Sequence, residues 1–223
     1  MNLQEKKLII FDLDGTLIDS GPDLAHSVNL MLETLSLKTY ESEVIERWVG
    51  NGALMLVRRA LSGSVVPDET LDAEYVNAAL ELFLNLYSQN LCIHTSLYPN
   101  VKNTIQKLHE SHYTLAIVTN KPAAFVPEIL SHFGLFGYFS LILGGDSLDV
   151  KKPSPKPLLH VCEQLGFCVE ESLMVGDSKN DIQAANAANM ESVAVSYGYN
   201  YQEDIREFQP TLLIDDFGVL LDL

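Results

Sequence analysis

The chain has no apolar run long enough to span a bilayer, and no long hydrophobic stretch follows Met1-Asn2-Leu3-Gln4-Glu5-Lys6-Lys7. These absences argue against a membrane protein and against a secretory leader. Cysteine is scarce. Cys92, Cys162 and Cys168 are odd in number and lack the C-x-x-C spacing of zinc and redox sites. They read as reduced structural thiols, and the expected location is cytoplasmic. Basic residues are scarce as well, with 14 Lys and Arg against 30 Asp and Glu and a formal net charge of −16. That balance excludes the basic face that nucleic acid requires and disfavours an anionic membrane surface. A phosphorylated small molecule stays compatible if cations are placed locally. Repeats and low-complexity linkers are missing too. The expected state is a monomer or a small homo-oligomer.

What is present is a core. Hydrophobic residues make up 47% of the 223, enough for one large domain or for a domain carrying an insertion. Lys7 to Phe11 reads as a buried strand. From about Gly21 to Asn90 the pattern turns helical. Leu24, Val28, Leu32 and Leu35 recur at helical spacing, and a segment from Val44 to Ala60 is split by Gly50-Asn51-Gly52. Val76, Leu80, Phe83 and Tyr87 form another stripe after a start signal at Pro67-Asp68. Each stripe reads as core packing.

From Tyr98 onward strands and helices alternate. Apolar runs at Thr114–Val118, Leu141–Leu143, Leu173–Val175, Val193–Val195 and Leu212–Ile214 read as strands, and Pro122 as a helix start. The expected fold is α/β, a doubly wound Rossmann-like parallel sheet with helices on both faces. Its core comprises residues 1–16 and 92–223, and residues 17–91 form an inserted helical domain. In such sheets ligands bind beyond the carboxyl ends of the strands.

The polar residues of interest fall at those ends. Asp12-Leu13-Asp14-Gly15-Thr16 follows the first strand; residues two apart share a face while the backbone stays extended, and Gly15 permits an abrupt turn. Alone, the pair reads equally as an acidic turn. Thr119 and Asn120 follow the second core strand, where a hydroxyl and free N–H groups suit a phosphoryl oxygen or simply cap a helix. Lys152, before Pro153, follows the third in a restricted extended conformation. Gly176-Asp177-Ser178-Lys179-Asn180-Asp181 follows the fourth, with Asp177 and Asp181 on one side of a helix start or forming its acidic first turn. Together Asp12, Asp14, Asp177 and Asp181 would put a charge of −4 on one rim, which a divalent ion and Lys152 reduce to −1. Hard oxygen ligands beside a phosphate favour Mg2+. In this chemistry Asp12 attacks phosphorus to form an aspartyl-phosphate, and Asp14 serves as general acid and then base. Mg2+ is held by Asp12, Asp177 and the backbone carbonyl of Asp14, while Thr119 and Lys152 bind the phosphoryl oxygens. Gly15, Ser178 and Asp181 support the site.

These four segments, with Thr119-Asn120-Lys121 and Lys152-Pro153, match in order and spacing the motifs of the haloacid dehalogenase-like superfamily, which the whole chain resembles. The resemblance implies the same roles for Asp12, Asp14, Thr119, Lys152 and Asp177, and makes the helical insertion a mobile cap. Trp48-Val49-Gly50-Asn51-Gly52-Ala53, Val118-Thr119-Asn120-Lys121-Pro122, Gly144-Gly145-Asp146 and Tyr197-Gly198-Tyr199-Asn200-Tyr201 are similar to the superfamily's bacterial branch that hydrolyses 2-phosphoglycolate to glycolate and phosphate. The substrate's carboxylate then asks the cap for donors, from backbone N–H groups of Gly50, Asn51 and Gly52 or from Arg47, Arg58 or Arg59. Alternatives remain: a phosphatase or phosphomutase for another small metabolite such as a sugar phosphate, or a phosphonate hydrolase using Lys38, the one cap lysine. A receiver-type phospho-accepting signalling module shares Asp, Thr, Lys and Mg2+, but the Asp14-Gly15-Thr16 segment and the large insertion count against it.

Overall fold

In the central strands both faces are apolar, so the sheet must be covered by helices on both sides. The computed structural model describes residues 3–201 and 203–223. In chain order the elements are β1 (Leu8–Phe11), β2 (Ile18–Asp19), α1 (Gly21–Thr34), α2 (Ser42–Glu46), α3 (Ala53–Ser62), α4 (Ala73–Gln89), β3 (Ser96–Leu97), α5 (Val101–Glu110), β4 (Thr114–Val118), α6 (Val126–His132), β5 (Leu141–Leu143), α7 (Lys156–Leu165), β6 (Ser172–Gly176), α8 (Lys179–Ala187), β7 (Glu191–Val195) and β8 (Leu212–Ile214). Six strands form one parallel sheet in the order β5-β4-β1-β6-β7-β8. Strand β1 sits between β4 and β6, with Phe11 level with Ile117 and Val175. Ile9, Phe11, Leu115, Ile117, Leu173 and Val175 meet Ile105 of α5 and Ile129 of α6 on one face. Leu8, Ile10, Ala116, Val118 and Met174 meet Leu158 and Val161 of α7 and Ala184 of α8 on the other. The fold is the doubly wound α/β architecture expected.

Helices α1 to α4 build a second apolar cluster of their own, around Val28, Leu32, Ile45, Trp48, Val57 and Phe83. The chain leaves and re-enters the sheet region through the antiparallel pair β2–β3, with Ile18 opposite Leu97. Asp23 of α1 is fully buried and accepts from the N–H groups of His94 (2.8 Å) and Thr95 (2.9 Å) and from the Thr95 hydroxyl (2.6 Å), which ties the returning chain to the outgoing helix.

Three local expectations need correction. Helix α4 begins at Ala73 because the Asp72 side chain caps the Tyr75 N–H; Asp68 instead turns onto Thr70. Pro122 precedes a short 3-10 turn, and α6 proper starts at Val126. Only Cys162 of the three free cysteines is buried in the core, whereas Cys168 is exposed. Among the described residues no helix is long and apolar enough to cross a membrane.

Candidate active site

Asp12 continues the β1 ladder, its N–H donating to Val175 at 2.9 Å, so it stands at the strand tip. The chain then turns at Gly15, whose φ is +87°, and any Cβ there would run into the Asp177 carboxylate. Only glycine satisfies both demands. The turn leaves Asp12 and Asp14 on the wall of one cavity. Their partners differ. Asp12 lies 3.0 Å from the Lys152 ammonium. Asp14 accepts from the Ser20 hydroxyl at 2.5 Å and from Lys121 Nζ at 2.9 Å.

At the end of β6, Asp177 accepts from the Thr16 hydroxyl (2.7 Å) and the Tyr199 N–H (2.6 Å). One oxygen of Asp181 accepts from the N–H (3.0 Å) and hydroxyl (2.8 Å) of Ser178 at the start of α8. The other lies 2.6 Å from Lys152 Nζ. One oxygen thus serves the cap of α8 and the other faces Lys152. Lys152 is buried, donates to the Val118 carbonyl at 2.5 Å, and is joined to Pro153 by a cis peptide bond.

Carboxylate oxygens of Asp12, Asp177 and Asp181 lie within 4.8 Å of one another, all buried, and could hold a metal ion. The Asp14 carboxylate is turned away from this group toward Lys121, which leaves its backbone carbonyl as its route to a metal. Three buried carboxylates face one ammonium. Burial pushes Asp12 up to about 7 against the pull of Lys152, with Asp181 and Asp14 adding to the rise. Burial likewise holds Asp177 well above the ordinary carboxylate range, reinforced by Asp181 and Asp12. This donor set, hard oxygens with excess negative charge, fits a divalent cation.

A stability prediction follows from these raised values. Between the unfolded value near 3.8 and about 7, the native protein holds more protons than the unfolded chain, so stability falls as pH rises through that window. Asp149, Asp204 and Glu171 have lowered values and titrate mainly at the acid end of that window, so they do not mask a comparison made between pH 5.5 and pH 8. In chelator, Tm should be higher at pH 5.5 than at pH 8, and Mg2+ should raise Tm far more at pH 8. Glu46 is also raised, by burial and by Asp19 and Glu43, but its share should not respond to Mg2+. Thermal melts at both pH values, with and without Mg2+, check this. A Tm in chelator that did not fall between these pH values would contradict the electrostatics described.

Thr119 is buried beyond β4; its N–H donates to Leu143 at 2.9 Å and its hydroxyl accepts from the Lys121 N–H at 3.2 Å. Asn120 donates to the carbonyls of Gly50 and Lys152, both at 3.1 Å. Gly50 accepts a further bond from Asn180 at 3.2 Å, and Lys151 donates to the Asn51 carbonyl at 2.7 Å. At Gly52, with φ +84°, a Cβ would come 2.9 Å from the Asn120 carbonyl oxygen. The 50–52 loop thus lies directly on the strand ends.

Gly50 and Gly52 line the cavity together with Asp12, Asp14, Thr119 and Asn120, but Asn51 does not. Its carboxamide accepts from Arg59 (2.9 Å) and donates to Asn180 (3.3 Å), so the side chain tethers the loop. Arg59 is spent the same way, on the carbonyls of Trp48 (2.7 Å) and Val65 (2.8 Å). Arg47 lines a separate pocket with Glu43, Glu46 and Tyr199. Lys38 lies over the Tyr40 ring and does not line the cavity, which removes the basis for an imine-forming cap lysine.

Sequence reasoning quoted Lys121, Thr16 and Asn180 within motifs and Tyr87 within a core stripe but gave none of them a role in the site. Lys121 is buried between Asp14 and the Tyr87 hydroxyl, to which it donates at 2.7 Å. Burial opposes its charge, yet Asp14 and Tyr87 outweigh that and hold its pKa above the usual lysine value. The available signal was a lysine directly after Thr119-Asn120 at the tip of a fully apolar strand. Phe83, Leu24, Val49 and Leu56 complete the apolar wall.

A doubly wound sheet carrying a buried carboxylate beside a lysine at the tip of β1, an acidic cluster and a helical insertion after the first strand is the arrangement of a class of hydrolases. The chain belongs to the haloacid dehalogenase-like hydrolases, whose family model matches residues 9–195. It is 49% identical over 221 residues to a phosphoglycolate phosphatase of Colwellia psychrerythraea, covering 99% of this chain and 98% of that protein. It is 51% identical over 219 residues to a phosphoglycolate phosphatase of Psychrobacter arcticus, covering 98% and 95%. A crystal structure described as a predicted phosphoglycolate phosphatase from Haemophilus somnus superposes with a TM-score of 0.91 at 40% identity, covering 98% of this chain and 97% of that one. Membership in a hydrolase family sets aside the receiver-type reading.

Proposed function

We propose that this chain is a Mg2+-dependent phosphatase that hydrolyses 2-phosphoglycolate to glycolate and phosphate through an aspartyl-phosphate on Asp12. The observation that carries the reading is the division of two carboxylates on one cavity wall. Asp12 is paired with Lys152 within the acidic triad, and Asp14 is set apart on Lys121 and Ser20. Two carboxylates in different surroundings take different parts. The phosphoglycolate phosphatases to which the chain is similar over nearly its whole length give the substrate.

Asp12 attacks phosphorus, while Asp14 delivers a proton to the bridging oxygen and glycolate leaves. Asp14 then takes a proton from the water that attacks the aspartyl-phosphate, which releases phosphate and restores both groups. Lys152 and Thr119 hold the phosphoryl oxygens. Mg2+ would be held by Asp12, Asp177 and the Asp14 carbonyl, with Asp181 alongside, and supplies charge neutralisation between nucleophile and phosphate. Residues 17–91 act as the cap domain, and the loop carrying Gly50 and Gly52 closes the cavity against water.

A screen of small phosphate esters by kcat/KM with Mg2+ tests the assignment. 2-Phosphoglycolate should rank first. A ranking below hexose phosphates would overturn the substrate and leave the phosphatase chemistry standing.

A further inference from the structure

The substrate's carboxylate needs a cation inside a buried cavity, and the arginines that sequence reasoning offered do not supply one. Of the residues lining the cavity, only Asp12, Asp14 and Lys121 carry a formal charge. Lys152 is held by Asp12, Asp181 and the Val118 carbonyl at the phosphoryl end. Arg59 is bonded to the cap's own backbone, and Arg47 faces another pocket.

Lys121 is differently placed. Its Nζ is 2.9 Å from Asp14 and 2.7 Å from the hydroxyl of Tyr87, which α4 brings from the helical layer. An ammonium has three protons to donate, and these contacts engage two. In 2-phosphoglycolate the carboxylate is attached through a single CH2 to the bridging oxygen that Asp14 protonates. A leaving group in contact with Asp14 therefore carries its carboxylate into reach of the Asp14 partner. A second anion buried next to Asp14 without a cation would be strongly disfavoured.

We propose that Lys121 is the specificity-determining residue that binds the substrate's carboxylate, an inference that rests on the phosphoglycolate reading above. The cation comes from the sheet domain, directly after the phosphate-binding Thr119. The cap contributes Tyr87, which holds the lysine in line, together with apolar walls.

The test compares kcat/KM for 2-phosphoglycolate with that for ethyl phosphate, which replaces the carboxylate by a methyl group. It uses the wild-type protein, Lys121→Met, and Lys121→Gln, which keeps a donor for Asp14; melts confirm folding. Both variants should slow both substrates, because Asp14 loses the ammonium beside it. The preference for 2-phosphoglycolate over ethyl phosphate should in addition fall by roughly 10- to 100-fold, the scale of one charge-assisted hydrogen bond. An unchanged preference with equally reduced rates would overturn the assignment and leave Lys121 as a positioning residue for Asp14. A wild-type protein with no preference for 2-phosphoglycolate would instead overturn the substrate reading itself, and this inference with it.

Discussion

Asp12→Asn should abolish steady-state hydrolysis, lowering kcat by roughly 10^4-fold or more, as expected when a nucleophile that forms the covalent intermediate is lost. The same substitution should leave the protein folded and, in chelator at pH 8, more heat-stable than wild type. That second effect follows from the surroundings. Asp12 shares its buried corner with Asp177 and Asp181, and its raised pKa marks an ionised state that the fold tolerates poorly. Neutralising it removes repulsion. Loss of activity with a gain in metal-free stability separates a functional carboxylate from a structural one. Retained steady-state turnover would sink the nucleophile assignment.

Lys152→Met should be damaging in both respects. Its ammonium is the cation close to both Asp12 and Asp181, at 3.0 Å and 2.6 Å. Removing one partner from a buried ionic cluster leaves uncompensated charge and costs about 3–5 kcal/mol. Denaturant melts in chelator should show that loss, and Mg2+ should recover part of it. Hydrolysis should also fall by roughly 10^2- to 10^3-fold with Mg2+ present, the scale of losing one transition-state contact to the phosphoryl oxygens. The double variant with Asp12→Asn should lose less stability than the sum of the two changes, because they remove opposite members of one pair. Strictly additive effects would show that the two groups do not interact.

Much of this architecture is legible in the order of the residues. The apolar runs mark every strand of the parallel sheet, most fully in the central strands, which are buried on both faces and must be continuously hydrophobic. Strand ends in such a sheet share one rim, so Asp12, Thr119, Lys152 and Asp177 can be placed together from order alone. The failures have physical causes. Contacts across the cap are invisible in the sequence because they join segments with no pattern between them: Lys121 with Tyr87, and Asn120 and Asn180 with the Gly50 carbonyl. The side-chain contact of Asn51 with Arg59 joins the loop to α3 in a way that no local pattern announces. The start of α4 is misplaced because Asp68 and Asp72 are equally good caps by type, and only the geometry selects Asp72. The charge balance also shifts. Asp14 is paired with its own lysine, which sets it apart from the Asp12, Asp177 and Asp181 cluster.

The most direct measurement is an acid quench during turnover of 2-phosphoglycolate carrying radioactive phosphorus, with Mg2+ present, followed by peptide mapping of the labelled protein. The account predicts acid-stable, alkali-labile label on the peptide containing Asp12 in wild type and none in Asp12→Asn. Label on another residue, or rapid hydrolysis in the Asp12→Asn protein, would contradict it.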